Sequence, residues 1–309
     1  MPSVSRSGDL AFSRSVDTPQ VWSLPLEDLA AKPVREAAPA QGFAISKDGT
    51  KLVFGRMLGP IRGELVMRER STGAETVLAS HELLSEGNGS LWPQISPDAL
   101  QVVYRAYAAT FGTYIVSIEG GAPGLLAPTT RLNLASDWFP DGRQIIGECR
   151  PLSDGICATD PANGATHAIL KDNQGGYLLY PSFSWDGKWV TFMLRRAGRT
   201  TICTTTVHSD GTLAGEASWV RISPENEKAA RPHFSPDGSS IFFALVRKTT
   251  MEVVRQKLDS VTKKPMGEPA KIASAPFSGP GQFIISVSRD RLFFNTDEIR
   301  SNVWTTRLN

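Results

Sequence analysis

The string Phe-Ser-Pro-Asp-Gly at 234–238 recurs along the chain in seven versions, each followed closely by a short apolar run. The others are Val-Ser-Arg-Ser-Gly at 4–8, Ile-Ser-Lys-Asp-Gly at 45–49, Ile-Ser-Pro-Asp-Ala at 95–99, Trp-Phe-Pro-Asp-Gly at 138–142, Phe-Ser-Trp-Asp-Gly at 183–187 and Val-Ser-Arg-Asp-Arg at 287–291. Measured at the second residue of each copy, the steps are 41, 50, 43, 45, 51 and 53 residues. A period in that range is the length of one four-stranded β-unit, and such units stack radially into a propeller. Seven copies predict an all-β, seven-bladed β-propeller. Its blades fall at about 1–42, 43–92, 93–135, 136–180, 181–231, 232–283 and 284–309, together one domain over 1–309.

Each unit reads alike. One or two apolar residues before the motif form the innermost strand. The x-Asp-Gly element turns the chain, because Asp tolerates turns and Gly accepts positive φ. The run after it is a second strand buried between blades, and a third strand follows a polar loop at 20–26, 64–70, 113–119, 155–160, 200–207, 252–258 and 302–308. Short fourth strands at 76–79 and 124–127 lie at the rim. Three copies depart from Asp-Gly: Gly8-Asp9 reverses the order, while Asp98-Ala99 and Asp290-Arg291 place a Cβ where Gly is usual. A left-handed non-glycine residue costs about 1–2 kcal/mol, so turns of another type are expected there. The last unit runs out of chain after its third strand, which predicts a three-stranded final blade with an open edge and a native chain that continues upstream.

Composition excludes several classes. A formal charge of +2 with scattered Lys and Arg supplies no basic stripe for nucleic acid. No apolar run reaches the roughly 18–20 residues of a membrane span, and the first residues contain no signal-peptide core. Kinase, nucleophile-elbow, phosphate-loop and zinc-protease signatures are all absent. The nearest zinc-like string, His-Glu-Leu-Leu-Ser at 81–85, lacks its second ligand and reads as a loop between blades. The chain is therefore expected to be non-catalytic, with no cofactor and no metal.

Two features stand out as possible sites. Directly before the apolar residue preceding each motif sit Ser3, Ala44, Gln94, Asp137, Ser182, His233 and Ser286, six of them polar. Two positions earlier come Trp92, Tyr180 and Arg231, placed to rim one mouth of an axial channel. Gln94, Asp137, His233, Arg231, Trp92 and Tyr180 are thus the candidate ligand-binding residues, for a small molecule, a peptide end or a protein. The simpler reading is a water-filled channel whose lining satisfies buried backbone groups. Cys149 and Cys157 flank Ser153 on what read as adjacent strands. They are either two small buried hydrophobes, the simpler reading, or a disulfide across a hairpin. Cys203 has no sequence partner and reads as core, and Trp22, Trp138, Phe183, Phe234 and Trp304 read as packing between blades.

The repeats resemble the TolB-like, WD-type propeller family, whose mark is an aromatic-Ser-Pro-Asp-Gly string before an apolar strand. Narrower likenesses lie in Leu-Ala-Phe-Ser at 10–13, Val-Trp-Ser-Leu-Pro at 21–25, Val-Arg-Gln-Lys-Leu-Asp at 254–259 with Lys-Lys-Pro-Met-Gly-Glu-Pro at 263–269, and the stretches 286–295 and 301–308. These are similar to the C-terminal propellers of bacterial eukaryotic-like serine/threonine kinases. That resemblance implies a binding or sensor module held outside the membrane, extracytoplasmic or periplasmic. Related repeats also form the substrate-gating propeller of prolyl-oligopeptidase-like peptidases and the free-standing TolB-type periplasmic scaffold, so the architecture alone selects no single role.

Overall fold

The computed structural model describes residues 3–4, 9–37, 40–59, 61–83, 91–107, 111–126, 131–247, 250–276 and 283–307; the side chains of 3–4, 9–18, 41, 107, 111, 275–276 and 297–307 fall outside that description. Among the described residues six sheets surround one axis, not the seven expected. Blades 1 to 5 each use four consecutive strands, with innermost strands Gln41–Ile45, Trp92–Ile95, Leu132–Trp138, Tyr177–Phe183 and Lys228–Phe234. Blade 6 is composite. Ile285–Val287 and Arg291–Arg307 supply its inner strands, and Asp9–Pro25 and Val34–Ala37 from the other end of the chain supply its outer ones. Each innermost strand packs on the next, and Ile285–Val287 reaches Gln41–Ile45 to close the ring.

This corrects the expected count and the expected open edge. The first and last sequence units are two parts of one blade. Val21 pairs with Asn295, Trp22 with Phe294 and Leu24 with Leu292, so the N-terminal strand fills the third place. The last unit's own third-strand segment continues the same strand to Arg307 and pairs with Asp9–Arg14 as a ribbon. Ser3 lies on a two-residue strand against Leu10 and Ala11, away from the axis, so it does not belong to the predicted channel ring.

The core is a set of clusters between blades. Val53 and Leu65 of blade 1 meet Val102 and Tyr104 of blade 2, and Ile146 and Ile156 of blade 3 meet Phe183 and Phe192 of blade 4. Trp138, Phe183 and Phe234 are buried in such clusters and Trp22 packs on another, while the side chain of Trp304 lies outside the described residues. His81 is the penultimate residue of the fourth strand of blade 1, Glu75–Glu82, with its Nε2 2.7 Å from the Tyr104 hydroxyl, so it belongs to a strand and not to a loop between blades. Cys149 and Cys157, on the second and third strands of blade 3, stand 5.2 Å apart at Cα with their sulfurs bonded. Cys203 is buried, which pushes its thiol up to about 12.

The recurrent motif is a side-chain lock. Ser46, Ser96, Ser184, Ser235 and Ser288 each donate an Oγ–H bond of 2.5–2.9 Å to the Asp two residues on. The same Oγ accepts from the backbone N–H that opens the next strand. In blades 1, 2, 4 and 5 the Asp also accepts a backbone N–H two residues ahead. Blade 3 has Phe139 in place of Ser and keeps only the backbone bond to Asp141. Asp48, Asp98, Asp141, Asp186 and Asp237 thus hold equivalent turns. Of the three deviant copies, the turn at Gly8 lies outside the described residues and the other two behave differently from one another. Ala99 keeps the glycine conformation at φ 57°, contrary to expectation, and its N–H bonds Ser96 O at 2.9 Å as Gly49 bonds Ser46. The turn at 288–291 is of another type, as expected: Ser288 N–H bonds Arg291 O, closing after three residues where the other turns take five.

Ala99 therefore carries left-handed strain of about 1–2 kcal/mol, partly offset by the greater freedom glycine would have when unfolded. Ala99→Gly is expected to stabilise the protein by about 0.5–1 kcal/mol in urea unfolding. A destabilised variant would show that Ala99 is not strained.

Candidate functional site

Six innermost strands line a narrow axial channel. One end is formed by Trp92, Tyr180 and Arg231 with Ser136 and Ile284. The other is formed by Lys47, Trp185, Asp137 and Ser182. Gln94, His233 and Ser286 line both, so the two ends belong to one passage. The open volumes are about 30 and 60 Å³, room for a few water molecules.

Each end is spanned by a cation over an aromatic ring. The Arg231 guanidinium lies 3.6 Å from the Tyr180 ring centre and 4.6 Å from that of Trp92, which faces it from across the ring of blades. At the other end Lys47 Nζ of blade 1 reaches over Trp185 of blade 4 at 5.6 Å. Such contacts are worth about 0.5–2 kcal/mol each.

The backbone aims these residues. Pairing slips at Tyr180-Pro181 and again at Arg231-Pro232, so two residues face one on the next strand and form bulges. Tyr180 sits at φ 54° and Arg231 at φ 56°, while the same place in blade 1 holds Gly42 at φ 69°. Two bulky residues thus accept strain that a glycine avoids, roughly 1–3 kcal/mol each, and strain of this kind concentrates at functional sites. Glu148, buried beneath them, accepts the Tyr180 N–H at 3.4 Å and an Asn133 Nδ2–H bond at 3.1 Å. Burial raises its pKa, against the opposing pull of Arg231 and Arg105.

Deeper in, Asp137 is surrounded by protein yet touches the channel. It accepts N–H bonds from Trp138 at 2.8 Å and Phe183 at 3.0 Å and an O–H bond from Ser182 at 3.1 Å. Burial raises its pKa, offset in part by the charge of Lys47. His233 Nδ1 lies 3.2 Å from the same Ser182 Oγ. A hydroxyl has one proton, so where Ser182 gives it to Asp137, His233 donates from Nδ1 to the same oxygen. A serine nucleophile needs the histidine in the middle of the three; here the serine is in the middle, with its proton committed to Asp137. Among the described residues no three His, Cys, Asp or Glu side chains gather into a metal-holding group, and no helix is long and apolar enough to cross a membrane.

All six candidate residues thus lie on the channel. Sequence reasoning missed Glu148, Lys47 and Trp185. Glu148 was detectable as an acid inside an otherwise apolar second strand. Lys47 and Trp185 occupy the motif's third position, where Pro97, Pro140 and Pro236 stand in other blades.

Burial, with a smaller push from Arg231, lowers the His233 pKa to about 4. Between pH 6.5 and about 4 the unfolded chain then takes up a proton that the folded chain refuses, so this contribution to stability falls as pH drops. Asp137 and Glu148, both raised, act in the opposite sense. The His233→Gln variant is expected to lose less stability than the wild type over that window, and the His233 imidazole to titrate near 4 by NMR. Titration near 6.5 would contradict its burial.

No protein-family model matches the sequence, and no curated protein matches it. Solved structures do. The putative TolB from Agrobacterium tumefaciens aligns at 19% identity and a TM-score of 0.67, covering 92% of this chain and 99% of that one. TolB from Acinetobacter baumannii aligns at 16% and 0.59, covering 93% and 66%. A puromycin hydrolase aligns at 15% and 0.53, over 81% of this chain and 49% of that one. Identities this low speak to the fold alone, and the fold is that of a TolB-like β-propeller.

Proposed function

We propose that this chain is a non-catalytic binding module that receives a peptide end, a protein segment or a small molecule at the axial mouth formed by Trp92, Tyr180 and Arg231. The carrying observation is the arginine held between two aromatic rings, with Tyr180 and Arg231 themselves on strained backbone. The passage behind them admits only water, so a ligand engages the mouth by displacing or extending this stack, not by filling a preformed cavity. Gln94 and His233 supply hydrogen-bonding groups below the stack, and Asp137 and Glu148 supply carboxyl groups at depth.

The likeness of the terminal stretches to kinase-associated propellers supports a sensor carried outside the membrane by a tethered serine/threonine kinase. A Cys149–Cys157 bond is at home in such an oxidising compartment. The TolB-like fold is also compatible with a second reading, a free-standing TolB-like scaffold. The gene sequence upstream separates the two: a kinase domain and membrane span, or a signal peptide.

A peptide array with free N- and C-terminal ends, probed with the purified chain, tests the binding role. Peptides that bind are expected to lose affinity about tenfold or more to Trp92→Ala and Arg231→Ala, as the loss of a desolvated cation–π contact requires. Undiminished binding to both variants would move the site elsewhere. Turnover of peptide or nucleotide substrates, abolished by a single substitution in this chain, would refute the non-catalytic reading.

A further inference from the structure

The motif turns of blades 2, 3 and 4 pack tip against tip on one face. A Cβ added at Gly187 of blade 4 would come within 3.0 Å of Pro140 of blade 3, and one at Gly142 of blade 3 within 3.9 Å of Pro97 of blade 2. Blade 6 breaks the pattern twice. Its turn closes two residues earlier than that of blade 5, and it carries Arg291 where the packing glycine belongs. The shortened tip leaves a cleft of about 630 Å³ against Ser235, Pro236 and Asp237 of blade 5, within the size range of small-molecule sites and far larger than either end of the axial channel.

Three arginines line this cleft: Arg255, Arg289 and Arg291. Arg255 Nε donates to Ser240 Oγ at 2.9 Å and Arg291 Nε to Ser23 Oγ at 2.9 Å, which orients both guanidinium groups by one edge. Arg291 is balanced by Glu36 at 3.9 Å, but among the described residues neither Arg255 nor Arg289 forms an ion pair. The cleft also holds acids, and two are already engaged in turn locks. Asp237 accepts from Ser235 Oγ, Ser239 N and Ser239 Oγ, and Asp290 accepts from Ser288 Oγ. Glu27 stands exposed at the edge, and Phe242 and Leu26 add apolar wall.

We propose that this cleft binds a small ligand bearing a doubly charged anionic group, a phosphate or a pair of carboxylates. Arg255 and Arg289 hold the charge through their unused N–H groups, and the apolar wall takes the rest of the ligand. Planar guanidinium forks suit both anions, since each offers paired oxygens for bidentate bonding. The site lies at the seam where the two chain ends meet, on residues separate from the axial mouth.

Calorimetric titration with inorganic phosphate and with succinate, each against sodium chloride at matched ionic strength, tests the proposal on the intact chain. At least one anion is expected to bind one-to-one and to weaken about tenfold or more in Arg289→Gln, an exposed turn position, and further in Arg255→Gln/Arg289→Gln. The anion that binds more tightly identifies the group. Replacing residues 289–291 with the five-residue stretch found at 236–240 should fill the cleft and also abolish binding. If the double or lengthened variant does not fold, Arg289→Gln alone decides. Binding of neither anion below about 10 mM, or equal binding by wild type and Arg289→Gln, overturns the proposal.

Discussion

Everything else in this fold depends on the antiparallel pairing of Gln20–Pro25 with residues 291–296. It is the one place where a blade is assembled from both ends of the chain. Val21 and Leu24 are fully buried by it, each contributing about 1.5–3 kcal/mol, and they extend the clusters on both sides into blades 1 and 5. A polar seam backs the apolar one. Ser23 Oγ donates to Glu36 at 2.5 Å, Arg291 donates to Ser23, and Arg70 of blade 1 donates to Glu36 at 2.9 Å and to Gly49 O at 2.6 Å. Burial of Glu36 opposes its charge, yet the bonds from Arg70 and Ser23 prevail and hold its carboxyl below the ordinary range. A half-satisfied network at this depth would weaken the ring where it closes.

Ring size then sets what the axis can do. With six blades, Trp92 on blade 2 and Arg231 on blade 5 face each other closely enough for ring and guanidinium to touch. Lys47 and Trp185, also three blades apart, do the same at the far end. The channel is consequently closed by side chains at both ends, around a polar middle in which Ser182 bridges Asp137 and His233. The positive-φ backbone at Tyr180 and Arg231 sets the direction in which these side chains enter the mouth.

Much of this was legible because the repeat is physical. Ser, Asp and Gly recur where a hydroxyl, a carboxylate and a positive φ are each required, so the turns, strand order and axial positions follow from spacing. The blade count did not follow, because two segments resemble a third strand, Val-Trp-Ser-Leu at 21–24 and Val-Trp-Thr-Thr at 303–306, and a ring has one vacancy for them. Local pattern cannot say which end of the chain fills a shared place. Ala99 misled in another way: neighbouring locks hold it left-handed despite its Cβ. Glu148 left a trace as the one acid in an apolar strand, but its role and that of Lys47 arise between blades, where sequence distance carries no information.

Native-state hydrogen exchange tests the closure most directly, since both contenders for the third-strand place lie in one protein. Six-bladed closure by the N-terminal strand expects the amides of 21–24 to exchange only through global unfolding, as the inner strands of blades 1 to 5 do. Residues 302–307, paired only in the ribbon, should exchange through local opening and much faster. Strong protection of 302–307 together with rapid exchange of 21–24 would contradict this account, because the C-terminal segment would then hold the place assigned to the N-terminal one.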